Sequence, residues 1–506
     1  MDRFSLRQNV VFAYIAAAIA FIVHAVANPH YGFFRDELYF IICGMHPQFG
    51  YVDQPPVAPL LAAATQTFGH SLFALRLVPA FFAAAGIFVT CRLVTDFGGT
   101  RYAQGLAAVV VFFTPVLLNF GMKVSPDEVG LWLWTLIALL VVRIVRGADE
   151  RLWLGVGLCA GVALQSKYSV AFFLAALVAG LLLTPERRIL RSRWALFGAL
   201  LAAVIALPNF LWQAHYGFPM WELLRNGQNG KNVTVGPVLF LLQQLLLTGL
   251  FLSMVWIVGL VWLFRAAQYR FLGYTYVILI ALMIAFHGKH YYPADVYPIV
   301  IAAGAVAIQQ LFANIWLRTA IATAAAAVGL IFAPFNLPVL PEATYVKYET
   351  AVGNTLHFSR KSVETEHGRE ESALPGDWAD MHGWPEMAAA VKDAYASLPS
   401  GERQRTVVFA GNYGEASAVA FFDPGIPVIS EHNQYWLWGT RGYDGATILQ
   451  VGGTCFKSDH LYNNRMLLTR VRTPWAIGYE NNLPIWHCSG ARKHLADVWP
   501  NIKSYE

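Results

Sequence analysis

The chain has 506 residues, of which 57% are hydrophobic and 13% charged, and its mean hydropathy is +0.46. That charged share is about half of what a soluble domain carries, so polar side chains cannot cover the apolar ones and a bilayer must take part of that role. The net charge of +5 lies in short basic clusters between apolar runs, which excludes a nucleic-acid patch and marks the clusters as topology signals.

In chain order the apolar runs are 9–27, 71–92, 103–121, 129–146, 152–166, 168–183, 195–213, 237–264, 271–287, 294–312 and 315–334. A helix needs about 20 apolar residues to cross a bilayer, and most of these runs qualify, giving about eleven spans. No small-residue cleavage site follows the first run, so it reads as an uncleaved first span rather than a signal peptide. The two short runs at 152–166 and 168–183 read as a tight pair joined by Ser166-Lys167-Tyr168.

Alternate connections carry the arginines: Arg3 and Arg7, Arg92 and Arg101, Arg143, Arg146 and Arg151, the group from Arg187 to Arg193, Arg265 and Arg270, and Arg318. These are expected to be cytoplasmic, with the N-terminus beside them. An odd number of spans then places the C-terminal part outside. The opposite loops are RDELYF, GYVDQPPVAP, SPDEVG, QSKYS, the stretch 215–236 and HGKHYYPADVYP, and they hold most of the carboxylates and histidines near the membrane.

Past Leu340 no apolar run recurs. Trp384–Leu398 reads as a helix, 406–411 as a buried strand, 413–421 as a second helix, and 427–430 and 447–453 as further strands. That alternation predicts a small α/β domain. The expected division is therefore a transmembrane domain over 1–340 and an extracytoplasmic α/β domain over 341–506. The charged stretch 350–380 reads as a mobile linker. Cys455 and Cys488 can pair if this part is outside, with two free thiols as the alternative.

The acidic pair Asp36-Glu37 sits beside aromatics in the first outer loop, where partial burial suits a carboxylate to general-base work; an ion pair with Arg35 is the plainer alternative. Asp53 precedes Pro55-Pro56, which fix the backbone around it. Asp127-Glu128 forms a second acidic pair, open to a sugar hydroxyl, a metal, a cationic partner or a helix N-terminus. Lys167, between two short apolar runs, and Arg76, near the outer end of the second run, are expected at or slightly below the outer surface, where a charge is costly and commonly functional; snorkelling to the interface is the plainer alternative. Lys289 and His290, with Tyr291 and Tyr292, form a cation cluster with aromatics that suits a phosphate and a sugar ring. The Asn- and Gly-rich stretch 226–234 reads as a loop, and Asn232-Val233-Thr234 is a glycosylation sequon.

RDELYF, GYVDQPPVAPLLA, FGHSLFALRLVPA, SPDEVGLWLWTL, LQSKYS, LPNFLWQ and HYYPADVYP, in this order over about the first 340 residues, resemble the bacterial members of glycosyltransferase family 39. This protein mannosyltransferase-like group of the GT-C superfamily includes the lipid A aminoarabinose transferase. The resemblance implies a polytopic all-α membrane fold and sugar transfer from a polyprenyl-phosphate donor to a lipid, glycan or protein acceptor. It implies Asp36 as the base and Asp127 as a second catalytic acid, with Lys167 at the donor phosphate. Glu37, Asp53, Glu128, Arg76, Lys289, His290, Tyr291 and Tyr292 are expected to line the substrates. The aminoarabinose transferase has a lysine where this chain has Gln54, which separates the two in substrate. The sequence specifies no cofactor, and the acidic pairs leave a divalent metal open. The expected location is the bacterial inner membrane.

Two rivals stand beside this reading. A secondary transporter predicts mid-span charges and paired broken helices in repeated halves, neither of which is clear here. A non-catalytic receptor or scaffold needs no acidic pairs gathered on one face.

Overall fold

Each apolar run forms helix in the computed structural model, which describes residues 3–229, 235–356, 362–365, 368–455 and 461–505. Among the described residues six helices are long and apolar enough to cross a membrane, and eight if two bent pairs each count as one span. Three shorter apolar helices, Arg101–Phe113, Gly130–Val145 and Leu152–Leu164, account for the remaining runs. The protein is a multi-pass membrane protein.

Two runs that read as continuous are broken. The run 237–264 bends by 110° between Pro237–Thr248 and Leu250–Arg265. The break falls on Gly249, at φ +77°, a conformation that costs glycine little and other residues much. The run 103–121 breaks at Thr114 (φ −64°, ψ 116°), which its following Pro115 pushes out of the helical region.

The chain divides into two compact units. The first comprises residues 1–29, 73–212 and 233–339. Here helices meet through small residues, because helix association in lipid rests on close packing rather than on hydrophobic expulsion. Leu250–Arg265 and Tyr297–Leu311 approach until a Cβ on Gly259 would lie 2.0 Å from the Val300 carbonyl oxygen, and one on Gly304 1.9 Å from that of Val255. At the ends of other helices, Asp96 accepts from Arg143 Nε at 2.8 Å and Arg146 Nη1 at 3.1 Å, while its carbonyl accepts from the Tyr269 hydroxyl.

The second unit comprises residues 30–72, 213–232 and 340–506. Among the described residues its larger sheet has five strands in the spatial order 428–430, 407–410, 447–451, 483–491, 462–471. The first three are parallel, pairing Val408 with Val428 and Phe409 with Gln450. The last two join antiparallel, pairing Gln450 with Trp486 and Arg465 with Cys488. The expected helices appear as Trp384–Ser397 and Tyr413–Phe422. Cys455 and Cys488 form a disulfide within a core of Val407, Phe409, Ile429, Ile448 and Trp499.

The expectation of a mobile linker over 350–380 is overturned for the part described. Residues Glu342–Leu356 are helical, Ser362–Thr365 pairs with Gly368–Glu371, and Trp378 is fully buried with its ring 4.4 Å from that of Tyr345. A single buried indole outweighs the charged composition around it. Residues 226–229, expected in a loop, continue the helix Pro219–Asn229, and Asn226 Nδ2 donates to the Tyr505 carbonyl at 2.9 Å. The sequon Asn232-Val233-Thr234 lies outside the described residues.

Candidate active site

Two clusters of the expected residues form, one in each unit. In the second unit the helix Arg35–Met45 starts with the expected acidic pair, whose charge the helix N-terminus favours. The pair is split in use. Glu37 is fully buried and its Oε2 accepts from the Phe34 N–H at 2.9 Å, which satisfies one of the donors a helix start leaves over. Asp36 faces outward with a side chain 35% exposed. Its Oδ1 accepts from the Tyr413 hydroxyl at 2.7 Å and lies 3.7 Å from Arg35 Nε.

Arg35 is the hub around which these groups are set. Its Nη1 donates to the Tyr479 hydroxyl at 2.7 Å, its Nε lies 3.5 Å from the buried carboxylate of Asp380, and its guanidinium sits 5.2 Å from the centre of the Tyr413 ring. Asp53, expected to be held by the prolines after it, is held by a side chain as well. The Tyr39 hydroxyl donates to its Oδ1 at 3.0 Å and accepts from the Gln434 N–H at 3.2 Å. Burial, and then the charge of Asp53, push the Tyr39 phenol well above its usual range, so it stays a neutral donor.

In the first unit Asp127 and Lys167 form a direct ion pair, with side chains 10% and 16% exposed. The Lys167 ammonium also lies over two rings, 5.0 Å from the centre of Tyr291 and 4.5 Å from that of Tyr292. An ammonium held between a carboxylate and two ring faces is desolvated yet compensated, and such contacts strengthen as water is removed. The connection that carries Lys167 is pinned by Ser166 Oγ, which donates to the Pro126 carbonyl at 2.9 Å. The tyrosines sit on a turn anchored by Gln244, whose Nε2 donates to the His290 carbonyl at 2.9 Å and whose Oε1 accepts from the Tyr297 hydroxyl at 2.8 Å. Burial, then the charge of Asp127, push the Tyr292 phenol up to about 12.

The remaining expected residues have other settings. Glu128 is fully buried and its Oε2 accepts from the Ser125 N–H at 2.9 Å, across the turn that precedes the helix Gly130–Val145. Arg76 is buried and its Nη1 donates to the Asn28 carbonyl at 2.6 Å, while Asn28 Nδ2 donates to the Gly121 carbonyl at 2.8 Å. Lys289 is exposed. His290 is half-buried, and burial followed by the charge of Lys289 lowers its pKa, so it is neutral at neutral pH rather than the cation its sequence neighbours suggested. Among the described residues no three of His, Cys, Asp or Glu gather as a metal-ligating group.

Asp295, Tyr413 and Asp380 are among the residues of these clusters that were not singled out from sequence. Asp295 is 3% exposed, its Oδ1 has no hydrogen bond among the described residues, and the charges of Asp127 and Lys167 act on it. Its carboxylate occupies the space of the missing side chain of Gly130, where a Cβ would lie 2.0 Å from Oδ2. The signal was a lone acid in the apolar run YYPADVYPIV. Tyr413 and Asp380 carry no local signal, since their role depends on partners 377 and 345 residues away in the chain.

The family model described as dolichyl-phosphate-mannose-protein mannosyltransferase matches residues 53–212, the stretch that holds Asp53, Asp127 and Lys167. The lipid A galacturonosyltransferase RgtD of Rhizobium johnstonii is 27% identical over 186 residues, which is 36% of this chain and 39% of that relative. The chain thus matches well under half the length of that curated relative. Among solved structures, ArnT of Cupriavidus metallidurans bound to undecaprenyl phosphate superposes with a TM-score of 0.59 at 13% identity, covering 94% of this chain and 97% of that one. The same protein in the apo state gives 0.61 at 12% identity with the same coverage. The chain has the ArnT fold: membrane helices with a small C-terminal sheet domain.

Proposed function

We propose that this protein is a membrane glycosyltransferase that moves a sugar from a polyprenyl-phosphate donor to an acceptor hydroxyl at the extracytoplasmic face of the inner membrane. The observation that carries the proposal is that the mannosyltransferase family match falls on the stretch containing the Asp127–Lys167 pair, in a chain with the fold of a protein solved with undecaprenyl phosphate. A donor whose leaving group is a phosphate on a lipid needs a cation near the lipid, and Lys167, between the apolar helices Leu152–Leu164 and Val170–Leu182, fits that need. An ammonium has three N–H donors, so engagement with Asp127 leaves capacity for a phosphate oxygen.

The reaction has one bond-exchange step. The acceptor oxygen forms a bond to the anomeric carbon as the bond from that carbon to the phosphate oxygen breaks. The phosphate leaves with the electron pair, and Asp36 takes the acceptor's proton. A single displacement inverts the anomeric centre. Phosphate is a good leaving group once its charge is compensated, so positioning, one cation and one base supply what is needed. Asp36 suits the base because it is the exposed member of its pair, while Glu37 is committed to the helix start. In this reading Asp127 orients Lys167, and Tyr291 and Tyr292, set against that ammonium, face the sugar ring. The relative named for lipid A puts a lipid acceptor first in the panel to be tested.

The test is transfer from a panel of polyprenyl-phosphate sugars to a membrane extract by the purified protein and by Asp36→Asn. Transfer by the wild type with a loss of about a hundredfold or more in the variant is expected of a missing base. Equal transfer by both removes Asp36 from the chemistry. No transfer from any donor refutes the reading and favours a transporter or a receptor.

A further inference from the structure

The C-terminal part of the second unit touches the candidate base directly, and this contact carries an inference that rests on the reading of Asp36 above. We propose that Tyr413 is a positioning residue for the transfer reaction: its hydroxyl fixes Asp36 by Oδ1 so that Oδ2 receives the acceptor's proton.

The Tyr413 hydroxyl donates to Asp36 Oδ1 at 2.7 Å, a normal length for a hydrogen bond to a carboxylate. The Arg35 Nε, at 3.7 Å, approaches the same oxygen. Among the described residues nothing hydrogen-bonds Oδ2, and the side chain is 35% exposed. The carboxylate is thus held on one oxygen and open on the other. An exposed aspartate held only by its own torsions samples several rotamers. A base must instead keep one oxygen within about 3 Å of the proton it takes.

The tyrosine is itself fixed. Only 7% of it is exposed. Its ring centre lies 4.7 Å from that of Tyr39 and 4.8 Å from that of His432, with the Arg35 guanidinium at 5.2 Å. It occupies the first position of the helix Tyr413–Phe422, whose start is capped by Asn412 Oδ1 accepting from the Glu415 N–H at 2.9 Å. Asn412 Nδ2 in turn donates to Glu480 at 2.9 Å, beside the Tyr479 that binds Arg35. Next to it, Gly414 brings the backbone so close to the helix Arg35–Met45 that a Cβ there would stand 2.4 Å from Arg35 Cγ. No bulkier residue fits unless the Arg35 stem moves. A second tie repeats the pattern at the next acid: Gln434 Oε1 accepts from the Val52 N–H at 3.1 Å, and the Gln434 N–H reaches Asp53 through the Tyr39 hydroxyl. The C-terminal residues therefore form part of the setting of both outer-loop acids.

Tyr413→Phe in the full-length protein keeps the ring and its contacts and removes only the hydroxyl. With the donor and acceptor found for the wild type, kcat is expected to fall about tenfold to a hundredfold, the range for a lost hydrogen bond to a charged group. Both KM values stay within about twofold and the Tm is unchanged, because ground-state binding and packing do not need the hydroxyl. The double variant Asp36→Asn with Tyr413→Phe is expected to be no slower than Asp36→Asn alone, since the hydroxyl acts through Asp36. An unchanged kcat in Tyr413→Phe overturns the proposal, as does a rise in both KM values together with a lower Tm, or a further loss in the double variant. If Asp36→Asn is fully active, the base assignment falls and this proposal with it. If Asp36→Asn is inactive and Tyr413→Phe is normal, only the role of Tyr413 falls.

Discussion

Replacing Lys167 by Met keeps the aliphatic stem and deletes the ammonium. Asp127, whose side chain is 10% exposed, then loses its counter-charge while remaining beside the buried carboxylate of Asp295. Breaking a buried pair from one side costs about 3–5 kcal/mol, and the 16% exposure of the lysine side chain argues for the lower end, about 3 kcal/mol. Loss of the two ring contacts adds about 0.5–2 kcal/mol. For a chain of this size the total corresponds to a fall in Tm of about 5 °C. The second substitution Asp127→Asn, made on the same background, removes the orphaned charge and is expected to return at least half of the lost stability. Thermal unfolding of the protein in a lipid–detergent mixture measures both. Titration with undecaprenyl phosphate measures the functional side, where the single variant is expected to bind about tenfold to a hundredfold more weakly, as for one charge-assisted phosphate contact. A single variant as stable as the wild type, or a double variant no better than the single, would falsify the ion-pair argument. Undiminished binding of undecaprenyl phosphate removes Lys167 from the donor site.

Cys455→Ser with Cys488→Ser opens a loop of 33 residues and is expected to cost about 3–4 kcal/mol in the chain-entropy picture; the wild type treated with a thiol reductant should then unfold at the Tm of the variant, and a reductant with no effect refutes it. Glu415 is buried, and burial, then the charge of Glu480, hold its carboxyl well above the ordinary 4.5. Between about 4.5 and that raised value the folded state binds more protons than the unfolded state, so stability falls as pH rises. Glu415→Gln should therefore raise the Tm at pH 8 and leave it unchanged at pH 4, and an equal gain at both pH values contradicts the assignment. Gly414→Ala gains up to about 1 kcal/mol in helix propensity but must displace an Arg35 stem anchored at Tyr479 and Asp380, an overpacking cost of about 1–3 kcal/mol. A lower Tm and slower transfer are expected, and a stabilised, fully active variant shows that the stem yields freely.

What the sequence made legible follows from the range of the forces that shape each part. Every apolar run became helix, because in lipid the backbone must satisfy its own hydrogen bonds locally, and composition over some 20 residues decides the outcome. The breaks at Thr114 and Gly249 were also locally encoded, by a following proline and by a glycine. In the second unit the strands 407–410, 428–430 and 447–451 are nearly all buried, and their apolar runs were read correctly. The strand Tyr462–Val471 was missed because its residues are mostly exposed, so neither an apolar run nor a clean alternation marks it. It exists through its ladder with Leu483–Ala491, a partner no local pattern announces.

The same division separates the two halves of the candidate site. A charged residue in an apolar context is visible from its neighbours alone, which is why Asp36, Asp127 and Lys167 stood out. Its partners are not. Lys167 meets Asp127 across 40 residues and Asp36 meets Tyr413 across 377, distances over which sequence spacing carries no geometric information. The acidic pairs show the consequence most clearly. Asp36-Glu37 and Asp127-Glu128 look alike as text, yet in each the glutamate turns inward to bond the N–H three residues before it, and the aspartate remains for an external partner. A helix start, or the turn just before one, has free N–H groups that a residue three places on can reach, so one acid of each pair is drawn into local structure. The other acid stays available, and the partner it meets is a tyrosine or a lysine from another part of the chain.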